Sequence, residues 1–351
     1  MLVIGGGVAG CNVARILADR GVDVTLVEKS EDIGGRVRSY GCKAFDKCLN
    51  CGVCLTASMW DKILKHPKVR IITKSEVKDI TGAPGEFAAV IESAGVKHRL
   101  DGIEAIVVST GFESLSSGIS SHLHIEVTAG NTDPDTAHYG ITQFDRQLPA
   151  GLITGTQLEE IVLKRTGTAI FESAPRSVAF IQCLGSRDKN EGGLYCSRVC
   201  CSYSTRAAKL IRNYYPQCDI VFFYMELQNV ESGDYYSGLL DMGMEFIKCR
   251  PSKIVCGETA VIEYDDPGSG IKSKQFDLVV LSDGVHAGAD NDRLAEICIL
   301  DQNEDGFLKA VCSDSGIFVA GCARAPMKID EAYADSVSVA GSILSMLMQK
   351  N

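Results

Sequence analysis

Cysteine dominates the residues of this chain that can do chemistry: there are fifteen in 351 residues. Eight of them lie in two short stretches, Cys42, Cys48, Cys51 and Cys54 in one, and Cys183, Cys196, Cys200 and Cys201 in the other. In a short exported protein so many cysteines would suggest a disulfide framework. Here the N-terminus enters a glycine loop after four residues and leaves no room for an export signal, so metal ligation, redox chemistry or apolar burial is expected instead. Thiolates are the preferred ligands of iron in clusters, four to a cubane, and Cys183, Cys196, Cys200 and Cys201 supply four. Their spacing, C-x12-C-x3-C-C, is that of neither a ferredoxin nor a zinc ribbon. Cys48, Cys51 and Cys54 have ferredoxin-like spacing, which Cys42 would complete as a second cluster; a zinc site, a redox-active Cys51/Cys54 pair and a site completed by a partner are the alternatives. The other seven, Cys11, Cys218, Cys249, Cys256, Cys298, Cys312 and Cys322, are scattered and read mainly as small buried side chains.

A second constellation is built from glycine. Leu2 to Ile4 reads as an apolar strand, Gly5-Gly6-Gly7-Val8-Ala9-Gly10 as a loop opening a helix, and Val22 to Val27 as a strand ending at Glu28. In such a βαβ unit Gly5 and Gly7 permit a tight turn and close phosphate approach, Gly10 lets helix and strand pack, and the helix N-terminus faces a pyrophosphate. Glu28 is placed to accept hydrogen bonds from ribose hydroxyls. The six histidines form no spacing suited to metal or triad chemistry; His122, His124 and His286 read as structural or surface residues.

The elements that must position these groups belong to a globular chain: 45% of residues are apolar and 23% charged. A net charge of -10 and a pI near 5.2 disfavour nucleic acid and anionic membrane surfaces as partners. No run of 18 apolar residues occurs, and a cytoplasmic location is expected. After a strand at Val69 to Ile72, a meander with turn residues Gly82, Pro84, Gly85 and Gly95 leads to the strand Ala105 to Gly111. Residues 113 to 151, rich in Ser, Gly, Thr, Asp and Pro, read as a linker. A second αβ unit follows: a helix near Thr156 to Lys164, a strand Val178 to Gln182, a helix near Ser202 to Tyr214 and strands Ile220 to Tyr224 and Leu278 to Leu281. Gly316 to Gly321 and an amphipathic helix, Ile329 to Met348, close the chain. Tyr333, Val337, Ile343, Leu344 and Leu347 are its expected core stripe.

Two half-similar nucleotide folds, the C-terminal piece returning to the first, resemble thioredoxin reductase and its relatives. The resemblance implies an α/β protein with two Rossmann-like domains, the FAD domain discontinuous: residues 1–113 and 284–351 for FAD, a linker at 114–151 and a nicotinamide-type domain at 152–283. Asp32-Ile33-Gly34-Gly35-Arg36 is similar to the glycine pair that receives the flavin pyrophosphate, Ser109-Thr110-Gly111 to the family's strand-end motif, and Gly316 to Gly321 to its final flavin motif. The implied FAD contacts are Gly5, Gly7, Gly10, Glu28, Lys29, Gly35, Arg36, Val77, Thr110, Gly111, Gly321 and Cys322. Cys322 stands where the family has an acidic residue.

In the second fold a nicotinamide site would need glycines after Val178 to Gln182, and cysteines stand there instead. Gln182-Cys183-Leu184-Gly185-Ser186-Arg187-Asp188 followed by Tyr195-Cys196-Ser197-Arg198-Val199-Cys200-Cys201 resembles the signature of the heterodisulfide reductase A-type proteins and their relatives. That resemblance implies an FAD protein with a [4Fe-4S] cluster on these four cysteines and a possible second on Cys42 to Cys54. Without ferredoxin-like additions, the chain looks like the compact members, those of sulfur-oxidising complexes or the quinone-interacting A-type proteins of sulfate reducers. The implied partners are iron–sulfur B and C-type subunits and a lipoate-binding protein, and a homodimer is expected. Five residues after the cysteine pair, where electron-bifurcating members resemble one another in a lysine near the flavin, stands Arg206, which does not lose its proton as lysine does. A pyridine-nucleotide disulfide reductase using Cys51 and Cys54 is the competing reading.

Overall fold

The computed structural model describes residues 1–114, 123–127, 139–140, 148–165, 169–188, 193–228, 233–257, 259–266, 268–309 and 315–349. Elements are numbered along the chain. Contacts divide it into two compact units, one of Met1–Arg38, Gly52–Glu113 and His286–Asn351, the other of Ser39–Cys51 and Ser114–Val285.

The first unit is built on a parallel sheet of five strands in the order β20-β7-β1-β2-β3, with β1 at Leu2–Ile4, β2 at Val24–Val27, β3 at Val69–Ile72, β7 at Ile106–Val108 and β20 at Ile317–Val319. The sequences LVI, IVV and IFV are apolar without alternation because both faces of a parallel sheet are covered. One face takes α1 (Val8–Asp19), α2 (Val53–Leu64) and α7 (Ile329–Gln349): Val13 and Leu17 of α1 share a core with Met59 and Ile63 of α2 and with Val339 and Ile343 of α7. The other takes a meander of β4 (Ser75–Thr81), β5 (Phe87–Ser93) and β6 (Val96–Ile103), and helix α6 (Asn291–Cys298). Strands β8 (Phe112–Glu113) and β19 (His286–Ala287) form a short antiparallel ribbon. On α7 the expected stripe holds at Ile343, but Val337 is 47% exposed. The buried positions are Ala332, Ser336, Val339, Ala340 and Ile343, where small residues admit α1 and Ser336 Oγ accepts from the buried Asn12 side chain at 2.7 Å.

The second unit repeats the parallel plan with the order β11-β18-β12-β13-β14: β11 at Leu152–Thr154, β12 at Ser177–Leu184, β13 at Asp219–Phe223, β14 at Glu245–Ile247 and β18 at Leu278–Asp283. Helix α3 (Gly155–Lys164) starts from a capping box in which Thr154 and Gln157 satisfy each other's backbone N–H groups. Helices α4 (Cys200–Tyr214) and α5 (Gly233–Asp241) follow β12 and β13. A second sheet, β10-β9-β15-β16-β17, comprises β9 (His124–Val127), β10 (Tyr139–Gly140), β15 (Lys253–Cys256), β16 (Ala260–Asp266) and β17 (Gly270–Phe276). The stretch expected as a linker thus supplies two strands: Leu123 and Ile125 alternate into a core with Ile254 and Ile262.

The cysteine-rich segment expected inside the FAD domain is divided between the units. Residues 39–51 belong to the second, where Lys43 makes a buried ion pair with Glu159 and donates to Gly41 O at 3.1 Å, Phe45 meets Tyr214 edge-on at 5.8 Å, and Arg206 Nε donates to Leu49 O at 3.0 Å. From Gly52 the chain joins the first unit through α2, whose inward residues Thr56, Met59 and Ile63 recur at helical spacing. Among the described residues no helix is long and apolar enough to cross a membrane.

Candidate functional site

In the first unit three glycines connect β1 to α1, and the loop is shaped by close backbone approach. A Cβ on Gly10 would lie 2.0 Å from Gly5 O, and one on Gly5 would lie 2.5 Å from Ser109 O; Gly5 also has φ +99°. Only glycine fits either position. Gly34 N donates to Gly6 O at 2.6 Å, tying the Gly34-Gly35 turn to the loop. Glu28 is buried at the end of β2, its Oε2 accepting from Gly6 N at 2.7 Å and its Oε1 from Ser30 N at 2.8 Å. Beside it opens a cleft lined by Gly5, Glu28, Lys29, Val77, Thr110, Asp290 and Arg293, among others. Lys29 pairs with Asp290 at 3.4 Å, and Arg293 Nη1 donates to Val77 O at 2.5 Å.

Arg36 turns to β8, donating to Phe112 O at 2.8 Å, pairing with Glu113 and lying over the Phe112 ring. The family's acidic position is filled by a neutral thiol: Cys322 donates to Met327 O at 3.5 Å, and burial pushes it up to about 12. A carboxylate nevertheless reaches this turn from α7. Asp335 Oδ2 accepts from Gly321 N and Oδ1 from Arg324 Nη1, both at 2.7 Å. No motif marks Asp335, or the cleft residues Ser75, Glu76, Asp290 and Arg293, in the sequence; each is brought by a strand or helix distant along the chain. The glycine cradle, the buried Glu28 and a buried Thr110 Oγ1 without a hydrogen-bond partner suit a dinucleotide with ribose hydroxyls and a pyrophosphate.

In the second unit the corresponding loop, between β12 and α4, runs over residues 185–199. Cys183 ends β12 at 2% exposure, and Cys200 and Cys201, 1% and 3% exposed, open α4. Cys200 lies within hydrogen-bonding contact of both Cys183 and Cys201. These contacts and burial raise Cys200 well above the ordinary thiol range, while contact with Cys200 lowers Cys183 and brings Cys201 down to about 7. The N-terminus of α4 and the N–H of Gln228 favour negative charge on Cys201. Cys196 is half-buried, raised by burial, and accepts from Arg198 N at 3.3 Å. Among the described residues, no group of three or more His, Cys, Asp or Glu side chains has the arrangement of a metal site.

Backbone conformations that side chains rarely adopt occur on the strand and in the loop: φ is +61° at Cys183, +57° at Arg187 and +63° at Arg198. Strain of this kind is on the order of 1–3 kcal/mol per residue and gathers at functional sites. An isolated antiparallel bridge joins Asp188 and Gly193, each N–H bonded to the other's carbonyl at 2.9 and 3.2 Å, and Arg250 pairs with Asp188 at 2.7 Å. Behind the cysteines Tyr203 OH donates to Asp283, whose carboxylate also accepts from Thr156 Oγ1 at 2.6 Å; burial raises both Tyr203 and Asp283. The donor chemistry suits iron, with four thiols from one loop and one helix start, and the buried side chains of Gln182, Ser186 and Ser197 have no hydrogen-bond partner.

The other expected cysteine set is not gathered in one unit. Cys42 and Cys48 are exposed and Cys51 half-buried in the second unit, and Cys54 is exposed in the first. Arg206 lies buried on α4, holding Leu49 O between Cys48 and Cys51. Of the scattered cysteines, Cys11, Cys218, Cys256 and Cys298 are buried and Cys249 and Cys322 half-buried; Cys312 lies outside the described residues, as does His122.

A family model described as an NAD(P)-binding Rossmann-like domain matches residues 3–53. Across 99% of its length the chain is 27% identical to the A-type component of the Ferredoxin/F(420)H(2)-dependent CoB-CoM heterodisulfide reductase of Methanosarcina acetivorans, covering 53% of that protein. It is 28% identical to the second A-type iron-sulfur component of the CoB–CoM heterodisulfide reductase of Methanopyrus kandleri, over 99% of this chain and 64% of that one. The chain therefore spans between about half and two thirds of the length of these curated relatives. Among solved structures, T. acidophilum thioredoxin reductase superposes with a TM-score of 0.63 at 17% identity, covering 99% of this chain and 98% of that one. Thioredoxin reductase of Lactococcus lactis gives 0.61 at 13%, with the same coverage. The fold is thus the two-domain α/β fold of the thioredoxin reductase-like flavoproteins.

Proposed function

We propose that this chain is the flavin- and iron–sulfur-carrying component of a heterodisulfide reductase-like oxidoreductase, passing electrons between a two-electron flavin and one-electron carriers in sulfur and thiol–disulfide metabolism. FAD lies in the first unit, on Gly5, Gly7, Gly10, Glu28, Lys29, Gly35, Arg36, Val77, Thr110, Gly111, Gly321 and Cys322. A [4Fe-4S] cluster lies in the second unit on Cys183, Cys196, Cys200 and Cys201. Arg206 fixes the backbone of residues 39–51 through Leu49 O. The partners are iron–sulfur B and C-type subunits and a lipoate-binding protein, and the chain forms a homodimer in the cytoplasm.

The observation that carries this reading is the loop after β12. Where a nicotinamide pyrophosphate would need bare glycine backbone, the ends of β12 and α4 bring buried Cys200 into contact with both Cys183 and Cys201, and the chain between Cys183 and Arg198 has three non-glycine positive-φ residues. When bound, the cluster supplies one-electron exchange, and the flavin supplies exchange of one or two. The chain's own groups hold charge in place: the α4 N-terminus favours thiolate at Cys201, and the α7 N-terminus favours negative charge on a flavin ring.

Replacing both Cys200 and Cys201 by Ser tests the assignment. Iron should fall by up to about four per chain, the content of one cubane, while FAD stays bound and dithionite still reduces it. Full iron content and intact electron transfer to partner proteins in that variant would make these cysteines structural.

A further inference from the structure

Five buried side-chain atoms without a hydrogen-bond partner fall between Gln182 and Ser197: both amide atoms of Gln182, Ser186 Oγ, Arg187 Nη1 and Ser197 Oγ. Gln182 is 2% exposed, and Ser186 and Ser197 are fully buried. Folded proteins leave few such groups unpaired, so a concentration of them in one loop marks a missing partner that is not protein. These residues also flank the thiols. Gln182 precedes Cys183, Ser197 follows Cys196, and Arg187 stands within hydrogen-bonding contact of Cys183. The room for the Ser197 hydroxyl is provided by Gly284, where a Cβ would come within 2.2 Å of its Oγ. Arg187 Nη2 donates to Glu226 at 3.0 Å, and the buried Nη1 of the same guanidinium has no hydrogen-bond partner.

A hydroxyl or guanidinium N–H needs an electron-rich acceptor, and the group proposed above for this loop presents one in its sulfur atoms. We propose, resting on the iron–sulfur reading of Cys183, Cys196, Cys200 and Cys201, that Ser186, Ser197 and Arg187 donate hydrogen bonds to the sulfur of that cluster and hold its reduction potential up. The direction follows from charge. One added electron, with no bond made or broken, increases the negative charge on sulfur, so each donor stabilises the reduced state more than the oxidised one. Removing a hydroxyl therefore moves the midpoint potential to more negative values. The three are positioning residues, not ligands, and their loss leaves the thiolates in place.

The test uses the full chain purified without oxygen. Ser186→Ala and Ser197→Ala, singly and together, are compared with the wild type and with Ser342→Ala, an exposed position in the first unit. Iron, acid-labile sulfide and FAD are quantified, and the cluster's midpoint is followed by EPR-monitored redox titration. The expected result is unchanged iron and FAD, a negative shift of the cluster midpoint in each single variant, a larger shift in the double, and an unmoved flavin midpoint. Arg187→Gln should shift the midpoint in the same direction. Full iron content with an unmoved midpoint in all four variants would overturn the inference and leave the iron–sulfur reading standing. Loss of iron in every variant would also overturn it, assigning these residues to the integrity of the loop. Absence of iron and sulfide from the wild type would instead overturn the reading beneath it.

Discussion

The loops after β1 and after β12 occupy equivalent places in two similar parallel sheets, yet they are built from opposite materials. After β1 the turn takes three residues, Gly5 to Gly7, and the space a side chain would fill is occupied by backbone: Gly10 can carry no Cβ because Gly5 O is in its way. After β12 fifteen residues, 185–199, separate the strand from α4, and positive-φ side-chain positions occur at Cys183 on the strand and at Arg187 and Arg198 beyond it. One loop presents bare N–H groups to whatever lies at the helix N-terminus; the other presents thiols, hydroxyls and a guanidinium. A strand–loop–helix frame thus does not choose its ligand. The choice lies in whether the loop strips side chains away to admit a phosphate or bends them inward to hold something that binds sulfur.

The comparison makes the two loops separately breakable. The largest effect on a bound group is expected at Gly10. Gly10→Val forces a side chain into Gly5 O, and FAD affinity should fall at least a hundredfold, about 2.7 kcal/mol, while iron content is unchanged. Equilibrium dialysis against FAD and iron analysis of the same sample check this, and joint loss of both would mean that the loops are not independent.

The second unit has its own point of failure. Lys43 and Glu159 are 3% and 8% exposed, and burial pushes the Glu159 carboxyl up in spite of Lys43. Lys43→Met leaves that carboxyl buried without its cation and should cost the second unit about 3–5 kcal/mol, with much of the loss recovered in Lys43→Met/Glu159→Leu. Chemical denaturation followed by Tyr and Phe signals of that unit measures it, and a change under about 1 kcal/mol, well below the range for a broken buried pair, would show that the pair does not hold residues 39–51 in place.

The smallest effect is expected at His286 in the first unit, where burial lowers the imidazole from 6.5 to about 4. The unfolded chain then binds the proton more readily than the folded one. Stability is therefore full above pH 6.5 and declines as pH falls toward 4, by at most about 1.4 kcal/mol per pH unit. His286→Gln should flatten that slope in denaturation midpoints measured from neutral pH down to about 4; an unchanged slope would assign the acid sensitivity to other groups.

Much of this organisation can be read from the chain because it is local. Gly5 to Gly10 and Glu28 lie within one βαβ unit, and Cys183 to Cys201 within one strand–loop–helix, so spacing alone declares them. What escapes is non-local or compositionally quiet. Asp335 reaches Gly321 N from α7, and Arg293 reaches Val77 O from α6, contacts that no spacing encodes. Strand β9 hides in a Ser- and Thr-rich stretch because four residues of alternation, from His124 to Val127, are too short to outweigh their polar flanks. The division of the cysteine-rich segment depends on Lys43 finding Glu159 more than a hundred residues away.

The claim on which the account turns is that the second loop holds iron and sulfide where a nicotinamide nucleotide would otherwise sit. Iron, acid-labile sulfide and FAD, quantified in one anaerobic preparation and followed by mixing with NADPH, address it directly. The account predicts about one FAD with at least about four iron and four sulfide per chain, and flavin that stays oxidised for minutes after NADPH is added. FAD without sulfide, together with rapid stoichiometric bleaching by NADPH, would contradict it and make the protein a pyridine-nucleotide disulfide reductase.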